Sequence, residues 1–157
     1  MVSKPDGVEI PPEVIALGKA VRAKRAKTLA ELPVYRDSVN LLLVVAGMVM
    51  RSPNSLRKFY DEMIASTFEM LNSIGMADSS RDRGLRVEYL NCTLSLANTV
   101  KSAFTVLKKL GILSKDADNK QKALVKRIIA QLVGWRDYTL GEGAASDVTT
   151  EKKEAAK

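Results

Sequence analysis

The 157 residues carry 25 lysines and arginines against 18 aspartates and glutamates, a formal charge of +7, with 46% hydrophobic and only 5% aromatic content. This supports one domain with its own core, and the positive charge favours anionic partners such as RNA, DNA or an acidic protein surface. With no histidine and one cysteine, Cys92, the common zinc sites, histidine bases and internal disulfides are excluded, and a reducing compartment is expected.

The chain opens on a proline-containing polar lead, Met1 to Pro12, which predicts no signal peptide and a cytoplasmic location. Val14, Leu17 and Val21 then form a narrow helical stripe, surrounded by Lys19, Arg22, Lys24, Arg25 and Lys27. Residues 1–32 thus read as a basic N-terminal arm, partly helical or disordered. A solvated arm and one that orders on nucleic acid or a protein partner fit equally well.

Leu32-Pro33 marks a break, and the first long helix is predicted from Pro33 to Arg51. Its segment Ser38 to Met50 has no charged residue. Spanning a bilayer takes roughly 17 to 25 apolar residues, so burial in protein is expected instead, and no membrane partner. Apolar residues occupy nearly every angle around this helix, which therefore needs two burial partners: its own bundle and a second subunit. Ser52-Pro53-Asn54-Ser55 interrupts the chain. The second helix follows, with Leu56, Phe59, Tyr60, Met63, Ile64, Thr67, Met70, Leu71 and Ile74 on one face, and ends near Gly75 to Asp78.

After a charged connection from Ser79 to Arg83, a third helix runs to about Leu110. Tyr89, Cys92, Leu96, Val100, Ala103, Leu107 and Leu110 form a heptad-like seam. A second stripe, Val87, Leu90, Leu94, Ala97 and Phe104, lies beside it. Asn91, Ser95, Asn98, Ser102 and Thr105 form an uncharged polar stripe, suited to an inter-subunit contact or to a plain small-polar face. Gly111 fits a left-handed C-terminal position and Ser114 an N-cap. The fourth helix is expected to reach Tyr138, with one row of Leu124, Ile128, Leu132 and Trp135 and another of Val125, Ile129 and Val133. From 141 to 157 the periodicity disappears, and a disordered tail is expected. Short connectors make residues 33–140 an all-α, antiparallel up-down-up-down four-helix bundle.

The positive surface supplies candidate nucleic-acid contacts: Arg81, Arg83 and Arg86 at the start of the third helix, Lys101, Lys108 and Lys109 further along it, and Lys115, Lys120, Lys122, Lys126 and Arg127 on the fourth. Nothing in the sequence assembles a catalytic constellation, a metal site or a cofactor cradle. Cys92 lacks a base partner and reads as packing. Asp116 with Asp118, and Asp78 with Asp82, fit the acidic preference of helix starts better than a cation cage. Trp135 could stack on a base, but its apolar row favours a core or interface anchor.

The segments Leu32-Pro33-Val34-Tyr35, Pro53 followed by Arg57, Leu110-Gly111-Ile112-Leu113-Ser114 and Gln131-Leu132-Val133-Gly134-Trp135, in that order, resemble the four-helix-bundle proteins related to ribosomal RNA intervening sequences. Within that family the chain looks most similar to the accessory variability proteins of diversity-generating retroelements. Ser52 stands where the family carries an aromatic, and Val133 where it carries a glycine. The resemblance implies a ring-like homopentamer that binds nucleic acid and the element's reverse transcriptase, without catalysis of its own, in support of mutagenic copying of a template RNA into cDNA. An oligomeric scaffold without nucleic-acid function is the alternative.

Overall fold

The computed structural model describes residues 28–155; the arm residues Lys19, Arg22, Lys24, Arg25 and Lys27 lie outside them. Among the described residues there are four α-helices and no strand: α1 Pro33–Met50, α2 Arg57–Ser79, α3 Arg83–Lys109 and α4 Lys115–Ala155. Short 3-10 turns, Leu29–Glu31 and Asn54–Leu56, precede α1 and α2. α2 packs against α1 and α3, and α4 against α3 and α1, so the helices close around one core.

Local sequence explains the helix ends. Pro33 starts α1 where its missing N–H costs nothing. Asp82 caps α3 by accepting from the Leu85 N–H at 2.8 Å, and Ser114 Oγ accepts from the Ala117 N–H at 3.2 Å at the start of α4. Gly111 has φ of 73°, the left-handed backbone that ends α3. The Ile112 N–H then returns to the Leu107 carbonyl at 3.0 Å.

The core consists of narrow seams with steps of three and four residues. In α3 the buried residues are Leu90, Thr93, Ala97, Val100, Phe104 and Leu107. This corrects the seam expected through Tyr89, Cys92, Leu96 and Leu110: Cys92 and Leu110 are exposed, and Tyr89, Leu96 and Ala103 flank the core half-buried. The real seam runs between the two apolar stripes and passes through a threonine that hydropathy alone counts as polar. Thr93 is tolerated there because its hydroxyl donates to the Tyr89 carbonyl at 2.8 Å. Ser38 to Val34, Thr67 to Met63 and Thr139 to Trp135 repeat this bond to the carbonyl four residues back, at 2.7, 2.7 and 2.9 Å. On α4 the buried line is Asp118, Val125, Ile128, Leu132 and Thr139.

Two further differences concern α4 and α1. α4 continues to Ala155, where the lost periodicity predicts a disordered tail from Gly141. The segment has no proline and several alanines, glutamates and lysines, so its backbone favours helix even where no apolar face asks for burial. α1 meets the length and apolarity of a membrane span, yet Val34, Leu41 and Val45 lie in the core and Asp37 faces α4. Within one chain only this side of α1 is covered, since Leu43 is 64% and Met50 88% exposed.

The two sides of α1 therefore differ in their tolerance of charge. Val45→Asp places a carboxylate in a fully enclosed site and is expected to cost several kcal/mol, enough to unfold a domain of ordinary stability. Leu43→Asp is expected to leave the fold of the single chain intact. Urea unfolding followed by circular dichroism distinguishes the two, and equal destabilisation would contradict this packing.

Candidate nucleic-acid interface

The structure divides the candidate cations into those paired with carboxylates or carbonyls of the fold and those without such a partner among the described residues. Arg127 belongs to the first group. From α4 it reaches Asp37 on α1, donating from Nε to Oδ2 at 2.8 Å and from Nη2 to Oδ1 at 2.9 Å. Gln131, one turn further, donates to the same Oδ2 at 2.9 Å. The Arg127 bonds hold the Asp37 carboxyl below its ordinary range; burial opposes the shift, and Gln131 reinforces it. The same pairing raises the Arg127 guanidinium further above its already high range.

Lys108 and Lys122 are also engaged. Their ammonium groups lie 3.7 and 3.1 Å from Asp118 Oδ2, and Asp118 is 1% exposed. The sequence placed this aspartate at a helix start for dipole reasons alone; it is instead a buried carboxylate tying α3 to α4. Arg86 closes the corner between α2 and α3, donating from Nε to the Ala77 carbonyl at 3.2 Å and from Nη2 to that of Ser80 at 2.6 Å. Those carbonyls belong to the end of α2, where an arginine satisfies orphan acceptors.

Arg81, Lys109, Lys115, Lys120 and Lys126 are exposed and Lys101 is half-buried; none has an ion-pair partner among the described residues. Arg83 is exposed on the first turn of α3. The cations of α4 fall on two flanks. At 100° per residue, Lys115, Lys122 and Lys126 share the flank that faces α3, where Lys122 and Lys108 meet Asp118. Lys120 and Arg127 fall on the opposite flank and line a groove against α1 with Asn40, Val44 and Leu124. The unpaired lysines Lys109 and Lys115 thus flank the α3–α4 connection, and Lys126 follows on the same flank of α4 about three turns on.

The remaining candidates fall as follows. Trp135 packs half-buried against the core beside Leu32 and Pro33. Asn91, Ser95, Asn98 and Ser102 are exposed and Thr105 half-buried, with the Asn98 amide turned back to the Leu94 carbonyl at 3.1 Å. Arg136 reaches Asn91 at 3.3 Å. Among the described residues no group of three or more His, Cys, Asp and Glu could hold a metal ion. Arg57, given no site role by the sequence, lines a recess at the α1–α2 corner with Tyr60. The signal for it was the proline-led start of α2. No family model, curated protein or solved structure matches the chain.

The Asp37 pair gives a pH dependence of known sign. The folded carboxyl titrates below its ordinary value of 3.8, so the unfolded chain takes up the proton first as pH falls. The stabilisation is complete above that ordinary value and drains away as pH drops through the lower folded one. Asp37→Asn is expected to lower Tm by several degrees at neutral pH and to shrink this difference in acid. Thermal unfolding from pH 7 to pH 2.5 checks it; a constant Tm difference would show that the charge of Asp37 is not responsible.

Proposed function

We propose that this protein is a non-catalytic, nucleic-acid-binding accessory subunit of a diversity-generating retroelement. It binds template RNA and DNA through phosphates and joins the reverse transcriptase in the cytoplasm to support mutagenic cDNA synthesis. The observation that carries the reading is the set of exposed lysines at the end of α3 and along one flank of α4 that no carboxylate neutralises, Lys109, Lys115 and Lys126. A phosphate backbone binds such unpaired surface cations by releasing their counterions and its own.

The same reading takes the bundle as antiparallel up-down-up-down. Its support is a steady register in which Phe59 and Met63 of α2 share a groove with Val106 and Val100 of α3, while Lys108 and Asn91 of α3 meet Asp118 and Arg136 of α4. Rising numbers on one helix meet falling numbers on the next. A ring-like homopentamer would cover the exposed Leu43 and Met50 of α1 and repeat the cationic patch around the assembly. Those exposed residues equally favour the second reading, an oligomeric scaffold without nucleic-acid function.

Titration of labelled RNA and duplex DNA at several salt concentrations separates the two. Log affinity is expected to fall with log salt by roughly 0.7 per phosphate contact on single strands and 0.9 on B-form duplex. The double variant Lys115→Glu, Lys126→Glu is expected to weaken both and flatten the slope with Tm unchanged. Lys122 is unsuited to this test, because a glutamate there would face the buried Asp118 carboxylate. Salt-independent binding, or none at low salt, would leave the scaffold reading. Light scattering on the wild type and on Leu43→Asp tests assembly: an oligomer that the variant dissociates is expected, and a monomeric wild type would contradict it.

A further inference from the structure

Where α1 gives way to α2 the surface holds a recess of about 240 Å³. Val49, Met50 and Pro53 line it together with Ser52, Asn54, Arg57 and Tyr60, and no carboxylate takes part. Tyr60 is fully buried, and its hydroxyl has no hydrogen-bond partner. Such a group is costly to leave unmade, and nearly all buried hydroxyls are paired. Its ring is held edge-on to Phe59, with centroids 6.0 Å apart and planes at 84°, so the packing fixes where the hydroxyl sits.

The other polar groups at the recess are donors too. Arg57 and Asn54 are exposed and their side chains have no partner among the described residues. The Ser52 hydroxyl already donates to the Met48 carbonyl at 2.6 Å. The turn Asn54–Leu56 runs straight into α2, and neither Pro53 nor Leu56 supplies a side-chain cap. α2 continues from that turn, the Arg57 N–H donating to the Asn54 carbonyl, so the positive end of its dipole lies toward the recess. One water, about 30 Å³ in the liquid, would fill only a small part of this volume.

We propose that this corner seats a phosphate group, with the Arg57 fork as its principal partner and the Asn54 amide and Tyr60 hydroxyl as further donors. An arginine fork matches two phosphate oxygens at once. The proposal stands apart from the nucleic-acid reading, since the group can arrive as free phosphate or as the end of a nucleic acid strand.

The test uses the full chain. Calorimetric titration and thermal unfolding with sodium phosphate are run against sodium chloride and sodium acetate at matched ionic strength. Saturable binding and a rise in Tm are expected with phosphate alone. Arg57→Gln is expected to weaken phosphate about tenfold or more, the loss of a charge-assisted pair. Tyr60→Phe deletes an unpartnered hydroxyl, so its Tm in chloride is expected to equal or exceed that of wild type while its phosphate affinity falls. A 5′-phosphorylated oligoribonucleotide is then compared with its 5′-hydroxyl form. Tighter binding of the phosphorylated form, lost in Arg57→Gln, assigns the seat to a strand end; equal binding beside saturable inorganic phosphate assigns it to free phosphate. No phosphate-specific effect, an equal effect of acetate, or unchanged phosphate affinity in both variants overturns the seat. Each of these outcomes is independent of how the Lys115 and Lys126 variants bind nucleic acid.

Discussion

A carboxylate removed from water must be paired, and in this fold two such carboxylates decide what the positive charge can do. Asp37 is 8% and Asp118 1% exposed; an unpaired charge at either place would cost far more than its side chain could return. Asp37 therefore takes Arg127 and Gln131, and Asp118 takes Lys108 and Lys122. Each pairing also ties α4 to a neighbour, to α1 in the first case and to α3 in the second. The groove above the first tie opens to about 390 Å³ over Asn40, Val44 and Leu124, so apolar packing alone does not seal α1 to α4 along its length.

Local rules made most of the scaffold legible. Pro33, Gly111 and Ser114 mark helix ends by conformational limits that act on a residue and its immediate neighbours, and all three occur where those limits predict. The α3 seam is misplaced by sequence because hydropathy treats Thr93 as polar and Cys92 as apolar, whereas a threonine that bonds to its own preceding turn can be buried. The pairings were not legible at all. Asp37 and Arg127 lie 90 positions apart, and nothing near either residue in the chain announces the other. Lysines and arginines picked out by sequence thus mix structural cations with available ones. Tyr60 shows the same limit, since its place on a helical face was readable but the unpartnered hydroxyl depends on how the α1–α2 corner folds.

The same division bears on how the chain would meet its partners. The cations paired with Asp37 and Asp118 have part of their charge cancelled, and Arg86 has its donors taken by carbonyls, which suits positioning but weakens their appeal to a phosphate. Unpaired lysines keep their full field and counterion atmosphere. On the outer side of α1, Leu43 and Met50 are in water.

Photo-crosslinking of the full chain to RNA, with the modified residues mapped by mass spectrometry, tests the central claim most directly. Adducts are expected to concentrate on the residues Lys109, Lys115 and Lys126, with Arg86 and Arg127 near background, the adjacent Lys126 and Arg127 being told apart by fragmentation. Adducts concentrated on Arg86 and Arg127 instead would mean that these side chains leave their partners to bind, and would contradict the division between structural and available charge.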